Sequence, residues 1–385
     1  MATDSAFDEI ARNPDAAFDL LAAKFLAEKQ YARLFETRVM RERHKLGLPL
    51  IHNGGIEEIP AEQRAVYEQA FVDAAREAGG LFLADGDVPR AWSYFRAIGE
   101  PAPVAAAIER FAIGEEAGDS AQALIEIAFH EGVHPVRGFE LVLEHFGTCR
   151  AITYYQQFPK GPGRIESLHR LMRKLYGELV KNLHRTIEQN EGQAPAATRV
   201  SELIAGRDWL FGEFSYYVDT SHVLAILGFS LELEDREMLD LALDLAEYGQ
   251  KLSQQFHYRG EPPFEGYQDY VMYLGALLGR DVEAGLAHFR QKAAASEVGD
   301  TAPAQAAIGL LLKLGRYSEA IQASLEYLGD GDPALFQMCQ TAGDFERLAQ
   351  LARERDDLLA FTAAMVQAPP QREAATPIAR QTPAP

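Results

Sequence analysis

The string His130-Glu131-Gly132-Val133-His134 has the H-E-x-x-H spacing of a zinc-dependent hydrolase site. On a continuous helix, histidines four apart share one face and can hold a single zinc ion, while the glutamate polarises a bound water. In that reading His130 and His134 are metal ligands, Glu131 is the catalytic group, and zinc is the cofactor. A third ligand must come from elsewhere, with Glu140 and Glu144 nearest along the chain. Three neighbours oppose it. Gly132 sits inside the required helix, and Pro135 follows His134, where the residue before a proline avoids the helical region. The extended motif also needs glycine three residues after His134, where the chain has Arg137, with Gly138 one position late. The competing reading closes a helix over about 120–131 at Gly132 and opens the next with Pro135 in its first turn.

A second constellation is aromatic. Asp208-Trp209-Leu210-Phe211 leads into Phe214, Tyr216, Tyr217, Asp219 and His222, and a companion stretch holds Phe256, His257, Tyr258, Phe264, Tyr267, Tyr270 and Tyr273. Tyrosine and tryptophan pair a large contact area with a polar tip, which suits binding surfaces. A groove lined by Trp209, Tyr216, Tyr217, Asp219, His222, His257, Tyr267 and Tyr270 is therefore expected to take a protein or peptide partner. Asp219 and His222 are three apart, so on a helix the carboxylate can orient the imidazole. The plainer alternative is that most of these rings pack helices together. His222 and His257 also offer acid–base groups for a small-molecule enzyme, with no substrate nominated.

Two further features are weaker. The stretch 160–185 carries Lys160, Arg164, Arg170, Arg173, Lys174, Lys181 and Arg185 against Glu166 and Glu178. It can dock an acidic ligand, or simply offset neighbouring acidic helices. Cys149, beside Arg150, lies in an apolar run with Phe146 and Ile152 and is expected to be buried and inert. Phosphate loops of the G-x-x-x-x-G-K type, G-x-S-x-G turns and paired C-x-x-C motifs are all missing from the sequence.

Helices must position these groups. From Arg164 to Ile187 apolar residues recur at Leu168, Leu171, Met172, Leu175, Tyr176, Leu179, Leu183 and Ile187, one stripe on a helix face. Similar stripes run through 61–84, 119–131, 137–157, 235–256 and 302–328, and strand-like alternation is short and sparse, so the fold is expected to be all-α. A glycine ending one helix, with alanine five positions later, recurs at Gly86/Ala91, Gly279/Ala284 and Gly315/Ala320, and as Gly343/Leu348. Glycine closes a helix in the left-handed conformation, and a small residue early in the next helix lets the pair approach closely.

On these residues, segment 72–105 resembles a tetratricopeptide repeat, with Ala78-Gly79, Phe82, Ala91, Phe95 and Pro103 at the family spacing and Ala75 where tryptophan is usual. Segment 301–334 is a poorer copy, keeping Ala320 but placing Ser324 at an aromatic position and Pro333 one residue late. The resemblance implies an α-solenoid, a right-handed superhelix of antiparallel helix pairs, irregular across 110–260, with a concave face for partners. It favours a non-catalytic scaffold over the hydrolase.

Composition sets the remaining bounds. Among 385 residues the net charge is −20, from 37 basic and 57 acidic side chains, which argues against nucleic acid or an anionic membrane as partner. Two distant cysteines build no disulfide framework, no apolar run reaches bilayer length, and the first residues lack a secretory layout, so a cytoplasmic location is expected. The breaks at 158–163 and 191–198 divide an N-terminal lobe, 1–158, from a C-terminal lobe, 164–367, or interrupt one array. The proline-rich segment 368–385 reads as disordered. Oligomeric state is open.

Overall fold

A computed structural model describes residues 2–51, 59–111, 118–257, 259–260, 262–297 and 299–368. Among them the regular structure is helical throughout, as the periodicities predict, and no strand occurs. Tyr258 and the tail beyond Ala368 lie outside the described residues. Contacts divide the chain into two compact units, Met1–Leu171 and Met172–Pro385.

The first unit contains α1 (Ala2–Arg12), α2 (Ala17–Ala27), α3 (Tyr31–Lys45), α4 (Ala61–Ala84), α5 (Val88–Ala97), α6 (Ala102–Glu109), α7 (Gly118–Ile125) and α8 (Pro135–Gln157). Helix α9 (Arg164–Glu191) begins in this unit and ends in the next. The second unit continues with α10 (Val200–Ile204), α11 (Thr220–Ser230), α12 (Arg236–Lys251), α13 (Tyr267–Leu277) and α14 (Val282–Ala295). It closes with α15 (Ala302–Lys313), α16 (Tyr317–Tyr327), α17 (Leu335–Ala342), α18 (Phe345–Glu354) and α19 (Leu358–Gln367). Most helices pack on the ones before and after them in sequence, the pattern of a helical-repeat array.

The turns carry this pattern. Gly86, Gly279, Gly315 and Gly343 all have φ between 71° and 81°. In each case the next residue's N–H donates to the carbonyl four positions before that glycine: Asp87 to Phe82, Arg280 to Gly275, Arg316 to Leu311 and Asp344 to Cys339. That six-to-one bond closes a helix while satisfying a carbonyl left over in its last turn. Lys29 (φ 55°) and Asp356 (φ 54°) close α2 and α18 in the same way without glycine, which residue type alone did not reveal.

The close approach expected of small residues is met at Ala91 and Ala320, both fully buried. In the tetratricopeptide-like segment, a Cβ built on Gly79 of α4 would stand 2.7 Å from the Phe95 ring of α5, so the two helices touch there. Phe82 and Tyr94 stack with centroids 5.6 Å apart, nested nearer the turn, so the pair runs antiparallel. At the third turn the register differs. Ala284 is exposed and Gly285 is the buried contact, 2.7 Å in Cβ terms from Ala276 and from the Met272 carbonyl. The left-handed Asp281 (φ 47°) at the start of α14 accounts for the added residue.

The stripe of α9 is buried along its whole length, from Leu168 to Ile187. In the second unit, Tyr176 donates to Asp244 at 2.7 Å and accepts from the Val200 N–H at 2.9 Å, and Arg199 grips the same carboxylate with two bonds of 2.9 Å. This network fastens α10 to α12 and to the middle of α9. A core of Tyr273, Leu286, Phe289, Leu310, Leu311 and their neighbours fills the space between α13 and the later helices.

Helix α8 corrects one expectation. Gly147 takes φ 76° and ψ −175° in the middle of it, so the helix kinks and its buried face changes phase. Thr148, Ala151, Ile152 and Tyr155 turn inward, while Phe146 and Cys149 face outward. Cys149, expected to be buried, is exposed; Cys339 is the buried thiol.

Candidate functional site

The H-E-x-x-H residues do not share a helix face. After α7 the chain widens into a π-turn over Glu126–His130, and Gly132 turns it with φ 75°. His134 then caps α8, its Nδ1 accepting from the Arg137 N–H at 3.3 Å, with Pro135 in the first turn. Because Nδ1 accepts, Nε2 carries the proton and faces Glu109 Oε2 at 2.9 Å. Both ring nitrogens are thus engaged by protein groups. Glu131 accepts from the Trp92 indole at 2.9 Å and pairs with Arg96 at 2.8 Å. The His130 ring lies against Phe129 and Tyr154. Among the described residues no three His, Cys, Asp or Glu side chains are grouped as metal ligands.

The aromatic constellation separates into an outside, a fastening and an inside. The outside is the loop 205–219 between α10 and α11, where only Asp208–Leu210 forms a helical turn. Its glycines, Gly206 and Gly212, and its lack of period keep it off any helix. Trp209, Phe214 (74% exposed) and Tyr216 (55% exposed) project outward, and Tyr216 meets the half-buried Phe256 edge-on at 5.1 Å.

Behind those rings the loop is tied down. The Tyr217 N–H donates to the Tyr248 hydroxyl at 2.9 Å, and the Tyr217 hydroxyl donates to the Leu210 carbonyl at 2.9 Å. Asn182 donates to the Tyr217 carbonyl at 2.7 Å, while Ser253 (2.7 Å) and Gln255 both donate to the Glu213 carbonyl. Arg207 holds Glu191 with two bonds of 2.7 and 3.1 Å, and Lys251 sits over the Phe211 ring. Burial pushes the Tyr248 phenol pKa well up, while the Tyr217 N–H that it accepts pulls the other way.

Asp219 serves the same fastening. It caps α11, accepting from the Ser221 hydroxyl at 2.6 Å and the Ser221 N–H at 2.9 Å, and those bonds, the hydroxyl's first, hold its carboxyl below the ordinary range. His222 meets Asp219 through its backbone N–H, which donates to the Asp219 carbonyl. The cap has taken the carboxylate expected to orient the imidazole, because the first turn of a helix presents free N–H donors.

Tyr267 and Tyr270, expected on the groove, are interior. Tyr267 is 2% exposed and lies over Gly249, where α12 and α13 touch. The Tyr270 ring stacks on Phe264 at 4.9 Å. His257 bonds the Leu252 carbonyl at 2.9 Å and sets its ring against Tyr267, so it too belongs to the packing. The three- and four-residue spacing of Tyr267, Tyr270, Tyr273 and Leu274 is a helix stripe, and that signal separates them from the aperiodic 205–219.

Two polar groups escaped sequence reasoning. Asp269 accepts from His288 at 2.7 Å, from Lys292 at 2.8 Å and from the Glu265 and Gly266 N–H groups at 2.8 and 3.2 Å. Lys292 also bonds the Pro263 carbonyl, so the loop before α13 is strapped to α14. His288 and Lys292 are four apart on one helix, a readable spacing, but their shared partner lies about twenty residues earlier. The second group is Lys313, which donates to the Leu231 and Leu233 carbonyls at 2.6 and 3.0 Å beside a pocket lined by Leu233, Leu239, Leu277 and Leu312. Desolvation lowers its pKa.

In the basic stretch, Arg164 bonds the Tyr155 and Phe158 carbonyls, Arg170 pairs with Glu140 and Glu166, Arg173 with Glu237 and Lys174 with Glu178. Fold and site together define an all-helical array of packed helices that presents an anchored aromatic loop. Compared with protein-family models, with characterised proteins and with solved structures, the chain finds no match.

Proposed function

We propose that this chain is a non-catalytic helical-repeat scaffold that binds a protein or peptide partner, with Trp209, Phe214 and Tyr216 as its contact residues. The observation that carries the reading is the contrast between the two sides of the loop 205–219. Three large rings stand in solvent on a backbone fastened from behind by Asn182, Tyr248, Ser253 and Gln255. Exposed aromatics on a mobile loop pay an ordering cost when they bind, which rings on a fixed support largely avoid. Such rings are the commonest energetic centres of interfaces. A concave face formed by the successive helices of a tetratricopeptide-like array would receive the rest of the partner.

The test is quantitative capture of partner from native extract by wild type and by the Trp209→Ala/Tyr216→Ala double variant. Loss of two such anchors is expected to weaken capture by at least about 30-fold, the equivalent of about 2 kcal/mol, with circular dichroism unchanged. Capture at wild-type strength would remove the loop from the interface. Tyr267→Ala is the contrasting control. Its ring is interior, so the variant is expected to lose about 3–5 kcal/mol of stability.

A further inference from the structure

We propose that the partner segment seated on the loop 205–219 is cationic, an arginine-bearing stretch of peptide held by rings and carboxylates together. The inference rests on reading that loop as the contact surface, and adds the chemistry of what it takes. Two of the exposed rings directly follow an acid: Asp208 precedes Trp209, and Glu213 precedes Phe214. The Asp208 side chain is 92% exposed, and Glu213 is exposed with no ion pair among the described residues. Arg207 is the one basic residue of the loop, and Glu191 already holds it.

The loop itself contains one example of the mode. Lys251 stands over the Phe211 ring, 5.6 Å from its centroid, with its ammonium 3.3 Å from an Asp208 oxygen. A ring face and a carboxylate thus hold one cation between them, as the negative face of an aromatic quadrupole allows. Among the described residues, none of the chain's own cations stands over Trp209, Phe214 or Tyr216.

Charge then selects the occupant. Between 201 and 250 the chain carries eleven acidic side chains against two basic ones, nearly half of its net −20. An acidic peptide or a nucleic acid is repelled there. An uncharged apolar peptide would strip water from Asp208 and Glu213 and return no partner to them. Arginine meets both demands, because the planar guanidinium stacks on a ring while its edge donates to a carboxylate.

The experiment is fluorescence anisotropy of labelled peptides of four Arg-Gly-Ser repeats, with leucine and glutamate versions beside them, titrated with the full chain. The arginine peptide should bind saturably, the leucine peptide at least about tenfold more weakly, and the glutamate peptide not at all. Asp208→Asn/Glu213→Gln should weaken arginine-peptide binding by about tenfold, with circular dichroism unchanged. Glu346→Gln/Glu354→Gln, which removes two exposed carboxylates from α18, should leave it as it was. A leucine peptide that binds as well as the arginine one would overturn the proposal, and so would equal losses in the two pairs of variants. Absence of arginine-peptide binding up to about 1 mM, the weak end of recognition, would overturn it too. Capture from extract separates this proposal from the reading beneath it. Capture lost in Trp209→Ala/Tyr216→Ala but intact in Asp208→Asn/Glu213→Gln keeps the loop as a contact surface and overturns only its cationic partner. Capture intact in both removes the loop itself.

Discussion

Asp269 takes bonds from two side chains and two backbone N–H groups while almost fully buried. Burial drives its pKa up, but Lys292 and His288 outweigh that, and the carboxyl is held below its ordinary value of 3.8. A carboxyl depressed in the folded state contributes stability above its unfolded pKa, and that contribution disappears as pH falls through the folded one. Asp269→Asn should therefore cost about 3 kcal/mol at pH 7 and less at pH 3, below the unfolded value. Urea midpoints at the two pH values check this, and an equal loss at both would show the carboxylate's charge to be irrelevant. At this scale the sequence is a partial guide. H-E-x-x-H was readable as a string, and Gly132 with Pro135 was readable as its interruption. That His134 spends both nitrogens, on Arg137 and Glu109, depends on a partner 25 positions away that no spacing announces.

Helix α4 holds two adjacent glycines with opposite roles. A Cβ on Gly79 would press into the Phe95 ring at 2.7 Å, whereas one on Gly80 would meet nothing within 4 Å. Gly79→Ala should destabilise by about 1–3 kcal/mol through overpacking, and Gly80→Ala should stabilise by up to about 1 kcal/mol through helix propensity. Thermal midpoints of the two variants should move in opposite directions. Most elements were legible because their stripes are long; the expected 61–84 coincides with α4 and 164–187 lies inside α9. Register failed where a single backbone torsion intervened. Gly147 slips the phase of α8 without proline or polar punctuation, and a window that averages over a helix runs straight through it. The left-handed Asp281 likewise moved the close contact from Ala284 to Gly285.

At the scale of the molecule, burial is distributed unevenly along the array. Nine residues of α12 are buried, against Ala364 alone in α19. In an array whose helices contact mainly their neighbours, opening begins where burial is least. Amide exchange at low protein concentration should be slowest in α12 and α13 and fastest in α19; uniform protection would mean that the second unit opens only as a whole. The all-α class was legible in composition and period. Which aromatic rings face outward was only half legible, since the rings of 205–219 and those of α13 are the same residue types. Among the described residues, no helix is long and apolar enough to cross a membrane.

The bend between α7 and α8 has a practical side. Glu131 N–H bonds the Glu126 carbonyl, Val133 the Ile127 carbonyl and His134 the Ala128 carbonyl, so the ladder widens around the corner and resumes on its far side. Such a corner offers a protease no slack and a protein engineer no room, since one inserted residue would unseat every rung after it. The stretch 191–196 is the reverse, mostly open to solvent between α9 and α10. A tag, a reporter or a cleavage site belongs there.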